Sequence, residues 1–288
     1  MRELKILGVV VAFTLALYWG VEPFAHSQMH PHVAPADFSF KDLGTNPKKG
    51  DATKGAENFM NAGCIGCHGL KSQGMPSPMD DATASASFGV VPPDLSTAGA
   101  IYDENFLSAL IKNPAHALKV EHKFTDGKMH PMTQFYGLGG DIDQEVADIV
   151  AYLKSVAPKE VSDEQVFEDA CQRCHDMKYD KRFSNSDHEA LKKYMGTTPP
   201  DLSIMIRAKG REYLETFINN PQKQLKGTSM PRVGLTQERQ EQVINYLEKV
   251  GDRKKAERES LGVKVIIYML IFTVLAYLWK VKIWREVH

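Results

Sequence analysis

The pentapeptides "CIGCH" at residues 64–68 and "CQRCH" at residues 171–175 contain every cysteine in the 288-residue chain. Three chemistries use Cys-x-x-Cys. A zinc site built from two such knuckles needs the second pair roughly 15–20 residues after the first, whereas Cys64 and Cys171 are 107 positions apart. A redox dithiol belongs beside a βαβ pattern and gives a following histidine no role. Covalent haem attachment does use the histidine. Residues three apart on a helical turn face the same way, so Cys64 and Cys67 can bond the two vinyl groups of one porphyrin edge. His68 then projects its imidazole at the iron. Cys171, Cys174 and His175 can do the same for a second group, so the reading is two covalently bound haem c groups.

The motifs belong to an internal repeat, and a repeat decides architecture before any single element does. At the constant offset of 107, "VPPDLS" (91–96) aligns with "TPPDLS" (198–203), and "NFLSALIKNPAHAL" (105–118) aligns with "EYLETFINNPQKQL" (212–225). The register breaks at the longer first-copy loop "KVEHKFTDGKMHPM" and resumes with "QEVADIVAYLKSV" (144–156) against "EQVINYLEKV" (241–250). Each copy reads as helical. Ser162 and Gln165 have capping-box spacing ahead of the second motif. Met60 and Phe167 each precede the first cysteine of their motif by four residues. Apolar positions 146, 149, 150, 153 and 156, and again 243, 244, 247 and 250, follow a helical period.

On these residues each copy resembles a small class I c-type cytochrome. The fold class expected is therefore all-α: two tandem cytochrome c-like domains, at 48–158 and 159–250, between an N-terminal and a C-terminal transmembrane helix. The resemblance implies that the first and last helices of each domain cross beside the haem. It also implies that the carbonyls of Pro93 and Pro200 accept the Nδ1–H of His68 and His175, with Leu95 and Leu202 packed on the porphyrin. A thioether opposite each histidine would keep the iron six-coordinate and suit electron transfer. In the second domain Met230 of "GTSMPRVGLT" fills that role. In the first, Met132 of "GKMHPMTQF" is preferred, because Phe135 and Leu138 after it resemble the family's run into the last helix. Thr133 stands where that run has proline, which leaves Met129 and His130 as alternatives. Met75, Met79, Met177 and Met195 precede or flank the Pro-Pro elements and read as fillers or loop residues.

Both ends of the chain read as membrane segments. Residues 1–22 carry Arg2 and Lys5 before an apolar run, and bulky "LYWGVEPF" replaces the small residues of a signal-peptidase site, so a retained anchor is expected rather than a cleaved leader. Residues 23–47 follow as a linker. Its His26, His30 and His32 could form a metal chelate, but the prolines between them favour an interfacial or linker role. Residues 251–260 form a second linker, 261–279 a second span, and 280–288 a basic tail. The positive-inside tendency puts both termini in the cytoplasm. Haem ligation on the outer face of bacterial membranes then makes both domains periplasmic, on a bacterial inner membrane.

The net charge of −1 gives no sign of nucleic-acid binding. Residues 48–158 carry nine Lys or Arg against thirteen Asp or Glu, while 159–250 carry fifteen of each. No nucleophile–base pair or nucleotide loop suggests a chemistry of the chain's own. The two-anchor layout, with "YWGVEPFAHSQMHPHV", resembles the two-haem cytochrome c subunit of bacterial cytochrome bc complexes (quinol–cytochrome c reductases). That resemblance implies a cytochrome b subunit and a Rieske iron–sulfur protein as partners, a soluble cytochrome c or terminal oxidase as acceptor, and a dimeric complex. The alternatives are the di-haem subunit of a cbb-type oxidase, against which the C-terminal span argues, and a di-haem peroxidase, which needs an open distal position.

Overall fold

A computed structural model describes residues 2–29, 35–125 and 127–287, and among them every regular element is helical. His30 and His32 lie outside the described residues, and with them the chelate reading of the 23–47 segment. In chain order the α-helices are α1 (Arg2–Ala16), α2 (Glu22–Met29), α3 (Ala52–Asn61), α4 (Asp81–Phe88), α5 (Ala98–Ile101), α6 (Glu104–Lys112), α7 (Pro114–Ala117), α8 (Ile142–Val156), α9 (Asp163–Ala170), α10 (His188–Met195), α11 (Met205–Lys209), α12 (Arg211–Asn219), α13 (Pro221–Gln224), α14 (Gln237–Gly251) and α15 (Lys255–Val287). Helix starts follow side-chain chemistry. Asp51, Asp80, Asp103, Asp141, Ser162, Asp187 and Thr236 each accept a backbone N–H in the first turn of the helix they precede, satisfying donors the helix itself leaves free. The Ser162 cap is half of the expected box, since the Gln165 side chain donates to Asp169 instead of reaching back.

Each module is built on a crossing of its first and last helices. In the first, α3 crosses α8 so closely that a Cβ on Gly50 would lie 2.1 Å from the Ala147 carbonyl oxygen, and one on Gly55 1.9 Å from that of Asp148. Phe59 closes the crossing against Tyr152, ring centroids 5.6 Å apart. In the second, α9 crosses α14, and Phe167 meets Tyr246 at 4.7 Å. Phe167 therefore corresponds to Phe59. Met60 is about half exposed, because Gly63, with φ of +72°, adds one residue between the helix and the cysteine. The periodic apolar residues Val146, Ile149, Val150 and Leu153, and Val243, Ile244, Leu247 and Val250, are buried.

The modules share a seam. Ile101, fully buried, belongs to the apolar cluster of the second module. Main-chain bonds run from Asp103 N to Gly234 O at 2.9 Å and from Thr236 N to Ile101 O at 3.1 Å. Helices α4 and α10, equivalent elements of the two copies, pack on each other. Residues 35–43 wrap this seam: Phe40 is buried against Phe106 and Ala117, while Asp37 and Asn219 exchange two hydrogen bonds.

Two helices are long and apolar enough to cross a membrane, Glu3–Gln28 and Lys255–Arg285. The first reaches that length by running past residue 22 into the expected linker. A π-turn at Leu17–Val21, with Glu22 N bonded to Leu17 O, makes room for Pro23, whose ring would otherwise clash with the carbonyl four residues back. Glu3 and Lys280 pair at 2.7 Å, which sets the start of the first helix beside the end of the last.

Candidate haem-binding sites

Both Cys-x-x-Cys-His motifs are single tight turns following the first helix of their module. Cys64–Gly66 forms one 3-10 turn, with His68 N bonded to Cys64 O at 3.0 Å, and His175 N bonds Cys171 O at the same distance. The two imidazoles are held alike. His68 Nδ1 lies 2.9 Å from the Pro93 carbonyl oxygen, and His175 Nδ1 lies 2.8 Å from that of Pro200. A second pair of contacts locks each proline segment to its motif: Leu95 N donates to Gly69 O and Leu202 N to Asp176 O, each at 2.9 Å or less. The environments differ. Pro93 is half-buried and Val91 before it is buried, whereas Pro200 and Thr198 are exposed.

The apolar surroundings bring further members together. In the first module Cys64, Leu95, Met75 and Phe135 pack on a core of Phe59, Leu70, Ile149 and Leu153. In the second, Cys171 is part of the core, and Leu202 and Met230 pack against it. Fully buried Met177 occupies the place of Leu70, a filler position. Met132 is half-buried, and Met129 is 83% exposed. The His130 ring is tied locally, with Nδ1 3.1 Å from Met132 O and edge-on to Phe124 at 5.0 Å.

The electrostatics of the donor set fit a covalently attached haem. Burial pushes both proximal imidazoles toward the neutral form, opposed by the Pro93 and Pro200 carbonyls. With Nδ1 committed to a carbonyl, the Nε2 lone pair is left for iron. Burial also raises the Cys64 thiol to about 11 and the Cys171 thiol to about 12. Among the described residues no three His, Cys, Asp or Glu side chains converge on a metal-ion position.

Sequence reasoning passed over Arg173, inside the second motif. Its positive charge adds to burial in lowering His68 and His130 of the first module, and it works against burial at Cys171 and Cys174 in its own. A partly buried bond from Thr97 Oγ1 to Asp169 at 2.5 Å also links the modules near the motifs. The arginine was visible as the one charge within either Cys-x-x-Cys spacing. The Thr97–Asp169 pair had no sequence signal.

A cytochrome c family model matches the chain twice, over residues 52–157 and 164–251. No curated protein matches it. Among solved structures, one described as a hyperthermophilic respiratory Complex III aligns at 22% identity and a TM-score of 0.36, over 100% of this chain and 98% of that one.

Proposed function

The chain belongs to the cytochrome c family, once in each half, and from that premise we propose that it is a two-haem electron-transfer subunit of a membrane respiratory complex of the cytochrome bc type. The observation that carries the proposal is the duplicated Cys-x-x-Cys-His turn, each histidine oriented by a proline carbonyl, in two modules packed along one seam. When bound, c-type haem supplies reversible one-electron iron chemistry.

The chain's own residues do the rest. Cys64 and Cys67, and Cys171 and Cys174, would hold the haem groups covalently. His68 and His175, oriented by Pro93 and Pro200, would offer Nε2 as an iron ligand. Met230 would be the sulfur ligand of the second haem, supported by its packing against the cluster that holds Cys171 and Leu202. Met132 would be that of the first, and the exposure of Met129 supports that choice. Leu95 and Leu202 would help to exclude water from the haems. Arg173 places a positive charge near both sites, which favours the reduced form of each.

The two apolar helices would anchor the chain in a bacterial inner membrane with both modules on the periplasmic side and both termini in the cytoplasm. The Glu3–Lys280 pair supports a common side for the two ends. A Rieske-type iron–sulfur protein and a cytochrome b subunit would deliver electrons. A soluble cytochrome c or terminal oxidase would receive them, and the assembly would be a dimer. Gentle solubilisation followed by affinity capture of this chain tests the assignment. Co-purifying b-type haem and an iron–sulfur signal support it, and copper with high-spin haem would move it to an oxidase.

A further inference from the structure

Ser186 lies at the seam and is 2% exposed. Its Oγ accepts the buried Val91 N–H of the first module at 2.9 Å. Its own N–H donates to the carbonyl of Arg173, within the second Cys-x-x-Cys-His turn, at 3.2 Å. Ser184 Oγ clamps the same corner, 3.1 Å from Arg173 O and 2.9 Å from Ser186 O. The next residue, Asp187, donates its N–H to Ser85 Oγ at 3.1 Å.

On the first-module side, Val91 opens the Val-Pro-Pro segment whose last carbonyl holds His68. Pro92 and Pro93 have no N–H and have φ fixed by their rings, so Val91 N–H is the only donor of these three residues and the segment behind it is stiff. The contacts run continuously from His68 Nδ1 to Pro93 O, along Pro92 to Val91 N, then through Ser186 to Arg173 between Cys171 and Cys174. The equivalent carbonyl of the second module belongs to exposed Pro200, so the arrangement is one-sided.

We infer that Ser186 is a positioning residue that couples the two sites, using the second attachment turn to fix the carbonyl that orients the first proximal histidine. The inference rests on the two-haem reading. The hydrogen bond on Nδ1 sets ring orientation and raises the basicity of the ligating nitrogen. Loosening Pro93 makes His68 a weaker donor, which destabilises the ferric form and raises the potential of the first haem. Ser186 acts one residue contact further out than the acceptor itself, so the effect belongs below the ~10–100-fold typical of direct outer-shell partners.

The test uses the full-length, haem-loaded protein in detergent. Haem content per chain is measured first, and then both reduction waves by spectroelectrochemical titration, with Met230→His used to identify the second wave. Ser186→Ala is expected to raise the first-haem potential by about a threefold to tenfold change in its reduction equilibrium constant, and to shift the EPR g-values of that haem alone. Ser186→Thr, which keeps the hydroxyl, should restore both. Asn219→Ala, which cuts the tie to Asp37 away from this corner, should leave the first wave in place. An unmoved first wave in Ser186→Ala, or a shift confined to the second, would overturn the coupling while leaving the two-haem reading intact. Fewer than two haems in the unmodified chain would overturn that reading and the coupling with it.

Discussion

Asp42, in the segment that wraps the seam, joins Arg232 of the second module, Oδ2 to Nη2 at 2.7 Å, with the arginine only 3% exposed. Arg232 lies over the Phe40 ring at 5.6 Å, and its Nε and Nη1 have no hydrogen-bond partner among the described residues. Among the described residues Asp42 is thus its one carboxylate, shared with Lys119 at 3.1 Å. Asp42→Asn should destabilise the fold by about 2 kcal/mol, the range for hydrogen bonds to charged groups, read as a lower thermal midpoint. Asn219→Ala, which removes the other tie to this segment, should add to the loss.

The same pair sets a pH dependence. Burial pushes the Asp42 carboxyl up, but hydrogen bonds from Arg232 and Lys119 outweigh it and hold the group below its ordinary range. A depressed carboxylate contributes stability above its unfolded value of about 3.9 and loses it as pH falls through the folded one. The difference in midpoint between the native chain and Asp42→Asn should therefore be full at pH 7 and shrink below about pH 4. A difference that persists at lower pH would mean that packing, not charge, holds the segment.

Gly55 is required by the α3–α8 crossing. Its missing Cβ would lie 1.9 Å from a backbone oxygen, which cannot rotate away. Gly55→Ala should destabilise the first module by about 1–3 kcal/mol or more, the range for overpacking. The counterpart of Gly55 four residues before Phe167 is Asp163, which bonds Gln242 through its side chain, so Asp163→Ala should be milder. Denaturant titration of both variants gives the comparison.

Much of this fold was legible in the sequence, and the physical reasons separate what was from what was not. The duplicated motif and helical apolar periods follow from covalent chemistry and from burial of one helix face, which leave regular spacings. Phe59 was missed because Gly63 shifts the first copy by one residue, and a fixed offset points to Met60 instead. The seam was not legible. Ser186, Asp42 and Thr97 are ordinary polar residues whose partners across the seam lie at least 72 positions away, and no local pattern marks such pairs. The extent of the first apolar helix was underestimated because Pro23 normally signals a boundary, whereas a π-turn carries the helix through it.

The distal ligands give a spectroscopic prediction. Met230→Ala and Met132→Ala should each abolish sulfur coordination at one haem and lower its potential, since a thioether ligand raises it. Met129→Ala should change neither haem. Loss of the sulfur–iron charge-transfer band of the first haem in Met129→Ala, with Met132→Ala silent, would reverse the assignment.

Arg173→Gln should lower the potentials of both haems, because removing a nearby positive charge stabilises the ferric form. A fall at the second haem only would show that its charge does not reach across the seam.

The most direct test of the central claim is the composition of the complex that holds this chain in native membranes, read from reduced haem spectra and low-temperature EPR after mild detergent capture. The account predicts two c-type haems per chain together with b-type haem and a Rieske-type iron–sulfur signal. Isolation with c-type haem alone, or with copper and high-spin haem, would contradict it.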